Sequence, residues 1–225
     1  MLMKENIKKT IKYVVMCIAV VMLTVSTAVI THNKLYNDCG LNDYNYMIYR
    51  DRTELAMDGC RDRIVAEIDH YIDSVACESG LNGIRLFDLC EKYGVDVRFA
   101  MAQAQAESHF GTTGMAAKTN VVWNVRAYDD TNAEEMKRKG HDCKHPDESI
   151  EPYLRLLTSS YLVDDKDEFD MFDNFVDANG KRYASNPKYE QLVKGIYERI
   201  NSETKLNMLL KEYHKYQRRL AFGMY

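Results

Sequence analysis

FAMAQAQAESHFGTTGMAAKTNVVWNVRAYDD, Phe99 to Asp130, holds the densest structural signal in this chain. Its opening, Phe99 to Ser108, is built almost wholly of good helix formers, and Ala100, Met101, Ala102, Ala104 and Ala106 leave little polar surface. A helix that is small and apolar on nearly every side belongs inside a fold. Gly111 suits the left-handed conformation that ends helices and is read as the terminator. Glu107 then stands in the last turn of a buried helix. Burial disfavours a bare carboxylate, and the negative end of the helix dipole disfavours it further. Both push its pKa toward that of an acid able to donate a proton near neutral pH. On composition alone, the alternative is an ordinary charged residue at a helix end.

Beyond Gly114 a short helical segment runs to Asn120. Val121-Val122-Trp123-Asn124-Val125 then reads as a strand, followed by Tyr128 and Asp129-Asp130. Upstream, Ile64, Ile68 and Ile72 recur at helical spacing, and a second helix, Ile84 to Tyr93, stops at Gly94. Residues 131–147 are charged, contain Gly140 and suit a small exposed hairpin or loop. Helical spacing returns with Ile150, Leu154, Leu157 and Tyr161. Asp164 to Asp177 reads as an acidic surface segment tacked down by Phe169, Phe172 and Phe175. Asn186-Pro187 starts a helix whose apolar face is Tyr189, Leu192, Val193, Ile196 and Ile200. A last amphipathic helix, Lys205 to Leu220, uses Leu206, Leu210, Tyr213 and Tyr216.

The amino terminus differs in kind. From Tyr13 to Thr31 no side chain is charged, a run of 19 residues. As a helix it spans roughly 28 Å, close to a hydrocarbon core of about 30 Å. Lys4, Lys8, Lys9 and Lys12 precede it, which favours an amino terminus kept in the cytoplasm and a remainder outside it. A cleaved signal peptide is the competing reading, but the run exceeds an h-region of about 7–15 residues. The expected organisation is a basic cytoplasmic tail (1–12), a transmembrane anchor (13–31), a tether (32–50) and a catalytic domain (51–225).

After residue 31 there remain 26 basic against 33 acidic side chains, a formal charge of −7. That balance lacks the concentrated basic patch of a nucleic-acid-binding surface. No phosphate-cradling glycine loop is present, and no cofactor is expected. Cys39, Cys60, Cys77, Cys90 and Cys143 follow the anchor; their odd number leaves one thiol over, and buried free cysteines are the plain reading. His141-Asp142-Cys143-Lys144-His145 matches no familiar zinc spacing, so no metal is assigned.

Four segments together resemble the glucosaminidase family, glycoside hydrolase family 73, which includes flagellar and autolysin-type β-N-acetylglucosaminidases. AQAESHFG, residues 104–111, resembles the family's glutamate-serine-aromatic-glycine motif. NVVWNVRA, residues 120–127, is similar to the strand after it, and SIEPYLRLL, residues 149–157, to the helix following the β-lobe. RYASNPKYEQLVKGI, residues 182–196, resembles the family's closing tyrosine-alanine-x-x-proline-x-tyrosine segment. The resemblance implies a mainly α, lysozyme-like fold with a small β-lobe over a glycan cleft, behind one transmembrane helix. It also implies peptidoglycan glycan strands as substrate, cut after N-acetylglucosamine.

Residue by residue, Glu107 matches the family's general acid, and Tyr183 the tyrosine lining the opposite side of the catalytic subsite. Trp123 and Tyr128 fall where the family presents aromatic rings to the sugar. Asn124, Asp129 and Asp130 are the polar candidates for substrate contact beside them, Asn124 with a backbone-satisfying role as its alternative. A second carboxylate, if used, falls among Asp129, Asp130, Glu134 and Glu135; the substrate's own acetamido group is the other option. A protonated carboxyl beside the leaving oxygen is what glycosidic cleavage needs. A lytic transglycosylase and a non-catalytic glycan-binding module remain as alternatives.

Overall fold

The computed structural model describes residues 14–16, 18, 20–32, 34, 41–125 and 132–223. The chain divides into two compact units, Met1–Ala56 with Arg218–Tyr225, and Met57–Gln217. The first contains helix α1, Val14–His32, whose mean hydropathy of 2.5 goes with 0% burial of its side chains within the fold. An apolar helix that no protein covers has the length and composition to cross a membrane. The first unit also holds the start of helix α2, Leu41–Val75. Of the 32–50 segment expected as an irregular tether, residues 41–50 are therefore helical.

The second unit carries the core. From Met57 onward α2 lays Cys60, Ile64, Ile68 and Ile72 along one buried face at four-residue spacing. Helix α3, Gly83–Tyr93, is capped by the Asn82 side chain and closed by Gly94 in the left-handed conformation. Helix α4, Val97–Ser108, is central: eight of its residues are buried, from Val97 to Ser108, and it packs against α9, Tyr189–Glu203. Gln103 and Glu107 of α4 both bond the Tyr189 hydroxyl of α9 across that packing. Between them lie α5, Ala116–Thr119, α6, Ala133–Arg138, a 3₁₀ turn, Pro146–Ser149, and α7, Ile150–Leu156, which runs into a π-helical turn, Leu157–Tyr161. The short α8, Glu168–Met171, and the last helix, α10, Leu206–Phe222, complete the order.

Four expectations are corrected. The terminator of α4 is His109 rather than Gly111: His109 (φ 52) and Phe110 (φ 56) are both left-handed, and Gly111 (φ 85) follows. Phe110 is fully buried with its ring edge against Tyr71, and its N–H reaches back to the Ala104 carbonyl at 3.1 Å. Burial of the phenylalanine ring thus holds a backbone conformation that a non-glycine residue ordinarily avoids. The expected β-lobe is not seen among the described residues: they contain no strand, and β pairing is confined to one isolated bridge, Val176 with Arg182.

Residues 121–125, expected as a strand, form an irregular turn. Val121, Val122 and Trp123 are all buried, so no polar face alternates with an apolar one. Their backbone is satisfied by side chains: Ser108 Oγ donates to the Val122 carbonyl at 2.6 Å, and the Val122 N–H donates to Ser149 Oγ at 3.2 Å. Third, residues 131–147, expected as a hairpin or loop, contain α6. Asn132 caps it, and Glu135 pairs with Lys139 one turn on. Fourth, the acidic segment buries Phe172 and Phe175 but leaves Phe169 exposed. Cys60 and Cys90 are buried and unbridged as expected, whereas Cys77 is exposed and Cys143 half-buried, both also unbridged. Cys39 lies outside the described residues.

Candidate active site

Glu107 sits in the last turn of α4, half-buried, its carboxyl held by two neutral donors. The Tyr189 hydroxyl, from the start of α9, donates to Oε1 at 2.5 Å. The Asn124 amide donates to Oε2 at 3.2 Å and to the Glu107 main-chain oxygen at 3.0 Å. Burial raises the Glu107 pKa above that of an ordinary carboxyl group. The bonds from Tyr189 and Asn124 favour the charged form and oppose the rise without cancelling it. Among the described residues no cation contributes to that balance, so the group is poised toward its protonated state by desolvation. Asn124 reaches it from a left-handed backbone (φ 50), a conformation asparagine accepts more readily than most residues.

Tyr183 lies beside this pair but does not touch the carboxyl group. Its hydroxyl donates to the Trp123 carbonyl at 3.2 Å, and its ring stacks between Phe175 (centroids 4.7 Å apart) and Tyr189 (5.6 Å). Burial first, then the charge on Glu107, pushes the Tyr183 pKa well up, so its phenol stays neutral and keeps its proton. Trp123 is placed in the core. It is 1% exposed, its indole N–H donates to the Ala100 carbonyl at 3.0 Å, and its ring stacks on Tyr153 at 4.5 Å. The sugar-facing ring expected at this position is absent; what Trp123 offers the site is its main-chain oxygen. Tyr128, Asp129 and Asp130 lie outside the described residues. Glu134 is exposed on α6, and Lys139 beside Glu135 holds the Glu135 carboxyl below its usual range.

Two residues were not singled out by their sequence. Tyr189 makes the shortest side-chain contact to Glu107, yet its position on the apolar face of α9 reads as simple packing. Gln103 is fully buried one helical turn before Glu107; the Tyr153 hydroxyl donates to its Oε1 at 2.6 Å, and its Nε2 donates to Tyr189 at 3.1 Å. The signal available for Gln103 was its four-residue spacing from Glu107, which puts both on one face of α4. For Tyr189 it was the second tyrosine of YASNPKY.

A polarised, desolvated carboxyl group framed by tyrosines on a mostly buried helix can deliver a proton to a bound oxygen. Comparison with known proteins bears on the same residues. A family model described as glucosaminidase, mannosyl-glycoprotein endo-β-N-acetylglucosaminidase, matches residues 85–202. No curated protein and no solved structure is matched. The matched span is just over half of the 225-residue chain and runs from α3 through α9, taking in Glu107, Tyr183 and Tyr189. This chain belongs to the glucosaminidase family.

Proposed function

We propose that the chain is a membrane-anchored peptidoglycan hydrolase, an endo-β-N-acetylglucosaminidase that cleaves the β-1,4 bond after N-acetylglucosamine. Glu107 is its general acid. The observation that carries this reading is the site of Glu107: a carboxyl group whose pKa is raised by burial, gripped by Tyr189 and Asn124 and facing no cation among the described residues. Such a group holds a proton close to neutral pH and releases it to the leaving oxygen as the glycosidic bond opens. Tyr183, with its neutral hydroxyl beside the carboxyl group, supports the sugar from the opposite side. Asn124, Tyr128, Asp129 and Asp130 belong to the substrate-facing edge in this reading. The water that completes hydrolysis is activated either by a carboxylate among Asp129, Asp130, Glu134 and Glu135 or by the substrate's acetamido group. Anchoring follows from α1, with the catalytic part outside the cytoplasm.

The test is digestion of purified cell-wall glycan by the full chain in detergent, with mass spectrometry of the products. Fragments ending in reducing N-acetylglucosamine are expected. A 1,6-anhydro end would make the chain a lytic transglycosylase, and binding without cleavage would make it a glycan-holding module.

A further inference from the structure

We propose that Gln103 and Tyr153 are positioning residues that fix the Tyr189 hydroxyl proton on Oε1 of Glu107, so that the carboxyl group carries its transferable proton on Oε2. The proposal rests on the general-acid reading above.

Three hydrogen bonds run head to tail through the core. Tyr153 Oη donates to Gln103 Oε1 at 2.6 Å, Gln103 Nε2 donates to Tyr189 Oη at 3.1 Å, and Tyr189 Oη donates to Glu107 Oε1 at 2.5 Å. Their direction follows from the chemistry of the groups. An amide oxygen only accepts, an amide nitrogen only donates, and a phenol has a single proton. Tyr153 and Gln103 are both fully buried, and a buried hydroxyl that gives up its acceptor is costly. A flipped Gln103 amide would point a donor at Tyr153, take this acceptor from its proton and draw the Tyr189 proton away from Glu107. With the amide as it stands, Tyr189 already accepts from Nε2 and directs its own proton to Oε1. Each bond in such a chain polarises the next.

The consequence is an asymmetric carboxyl group. Oε1 is occupied by a short O–H donor, whereas Oε2 meets only the longer bond from Asn124 at 3.2 Å. A proton arriving at Glu107 therefore settles on Oε2, where it displaces the weaker contact. The four participants come from three helices, α4 (Gln103 and Glu107), α7 (Tyr153) and α9 (Tyr189), so the orientation is set by packed elements. Among the described residues, the titratable groups facing Glu107 are Tyr189 on α9, Tyr183 from the segment before it and Tyr153 on α7. Burial pushes the pKa of each well up, leaving all three neutral.

The experiment compares wild type, Tyr153→Phe, Gln103→Met and Glu107→Gln as full chains in detergent. It measures kcat on purified glycan as a function of pH, with melting temperature on each. Tyr153→Phe keeps the ring stacked on Trp123 and frees the Gln103 amide to turn; Gln103→Met removes the amide at similar length. Each loosens the donation to the charged form of Glu107, so the alkaline limb of kcat moves up by about half a pH unit or more. Turnover at the wild-type optimum falls roughly threefold to tenfold as the carboxyl group loses its fixed orientation. Folded variants whose alkaline limb stays in place, however slow they are, would reduce the chain to core packing and overturn the proposal. Should Tyr153→Phe fail to fold, Gln103→Met decides alone. If Glu107→Gln keeps wild-type turnover, the general-acid reading itself fails. If that variant is inactive while the limbs do not move, only the positioning role does.

Discussion

Glu107→Gln preserves the shape of the side chain and removes the transferable proton, so cleavage should fall by about 10²–10⁴-fold or more while the fold survives. Stability gives an independent reading. Burial raises the folded-state pKa of Glu107 above its unfolded value, so the native state holds the proton more tightly and loses stability as pH rises between the two. The glutamine variant lacks that dependence. Its melting temperature should equal or exceed that of wild type at neutral pH, and the gap should close in acid, below about pH 4. A variant that melts lower at pH 7 and converges above it would reverse the sign and the assignment. Tyr183→Phe should be milder, losing one bond to the Trp123 carbonyl, about 0.5–1.5 kcal/mol, with its ring stack intact. At this scale the acid was legible because an alanine-rich helix announces its own burial. Trp123 was not, since whether a lone tryptophan faces a cleft depends on what stacks on it, here Tyr153. Tyr189 was hidden for the opposite reason: its place on an apolar helix face concealed a hydroxyl with a partner.

The segment 121–125 shows what pattern reading misses in an element. A run of Val, Val, Trp and Val has strand propensity, but propensity describes side chains that fit a pleated surface and says nothing of backbone partners. Here those partners are Ser108 and Ser149, supplied by the end of α4 and the start of α7. Ser108 also accepts from the Gly111 N–H at 2.8 Å, tying the left-handed turn to the same point. Ser108→Ala should therefore cost about 1–3 kcal/mol, because the buried Val122 carbonyl loses its donor, while the Gly111 N–H keeps a bond to the Ser108 carbonyl at 3.1 Å. Urea denaturation would measure it. Activity should fall further than the stability loss explains, since Asn124 hangs from this segment and touches Glu107. Equal stability in the alanine variant would mean that water or a backbone shift replaces the hydroxyl. Helices α3, α9 and α10 were legible within a few residues, because each shows an apolar face at helical spacing; α6 and the first turns of α2 were not.

For the whole molecule, the amino-terminal span sets the expected behaviour. α1 carries no Asp, Glu, Lys or Arg and is uncovered, and four lysines precede it. The chain should sediment with membranes, resist extraction by salt and alkaline carbonate, and be released by detergent. Protease added to intact spheroplasts should degrade the catalytic part. Protection until lysis would overturn the topology. The apolar helix α1 was legible from the absence of charge between Tyr13 and Thr31. The helical start at Leu41 was not, because a polar, tyrosine-rich segment shows no helical stripe on its own.

The stacking of Trp123 on Tyr153 has an optical consequence. The protein has one tryptophan, fully enclosed, with an indole N–H that bonds a main-chain carbonyl. Its fluorescence therefore reports a single place. Emission excited at the red edge, where tyrosine does not absorb, should be blue-shifted in the native state and move to the red when the core opens, with no second tryptophan to confuse it. Because the Trp123 carbonyl accepts from Tyr183, a glycan that moves the Tyr183 hydroxyl should also alter the indole signal. Titration with cell-wall fragments would then give a binding isotherm from the intrinsic emission of an inactive Glu107→Gln protein, without a label.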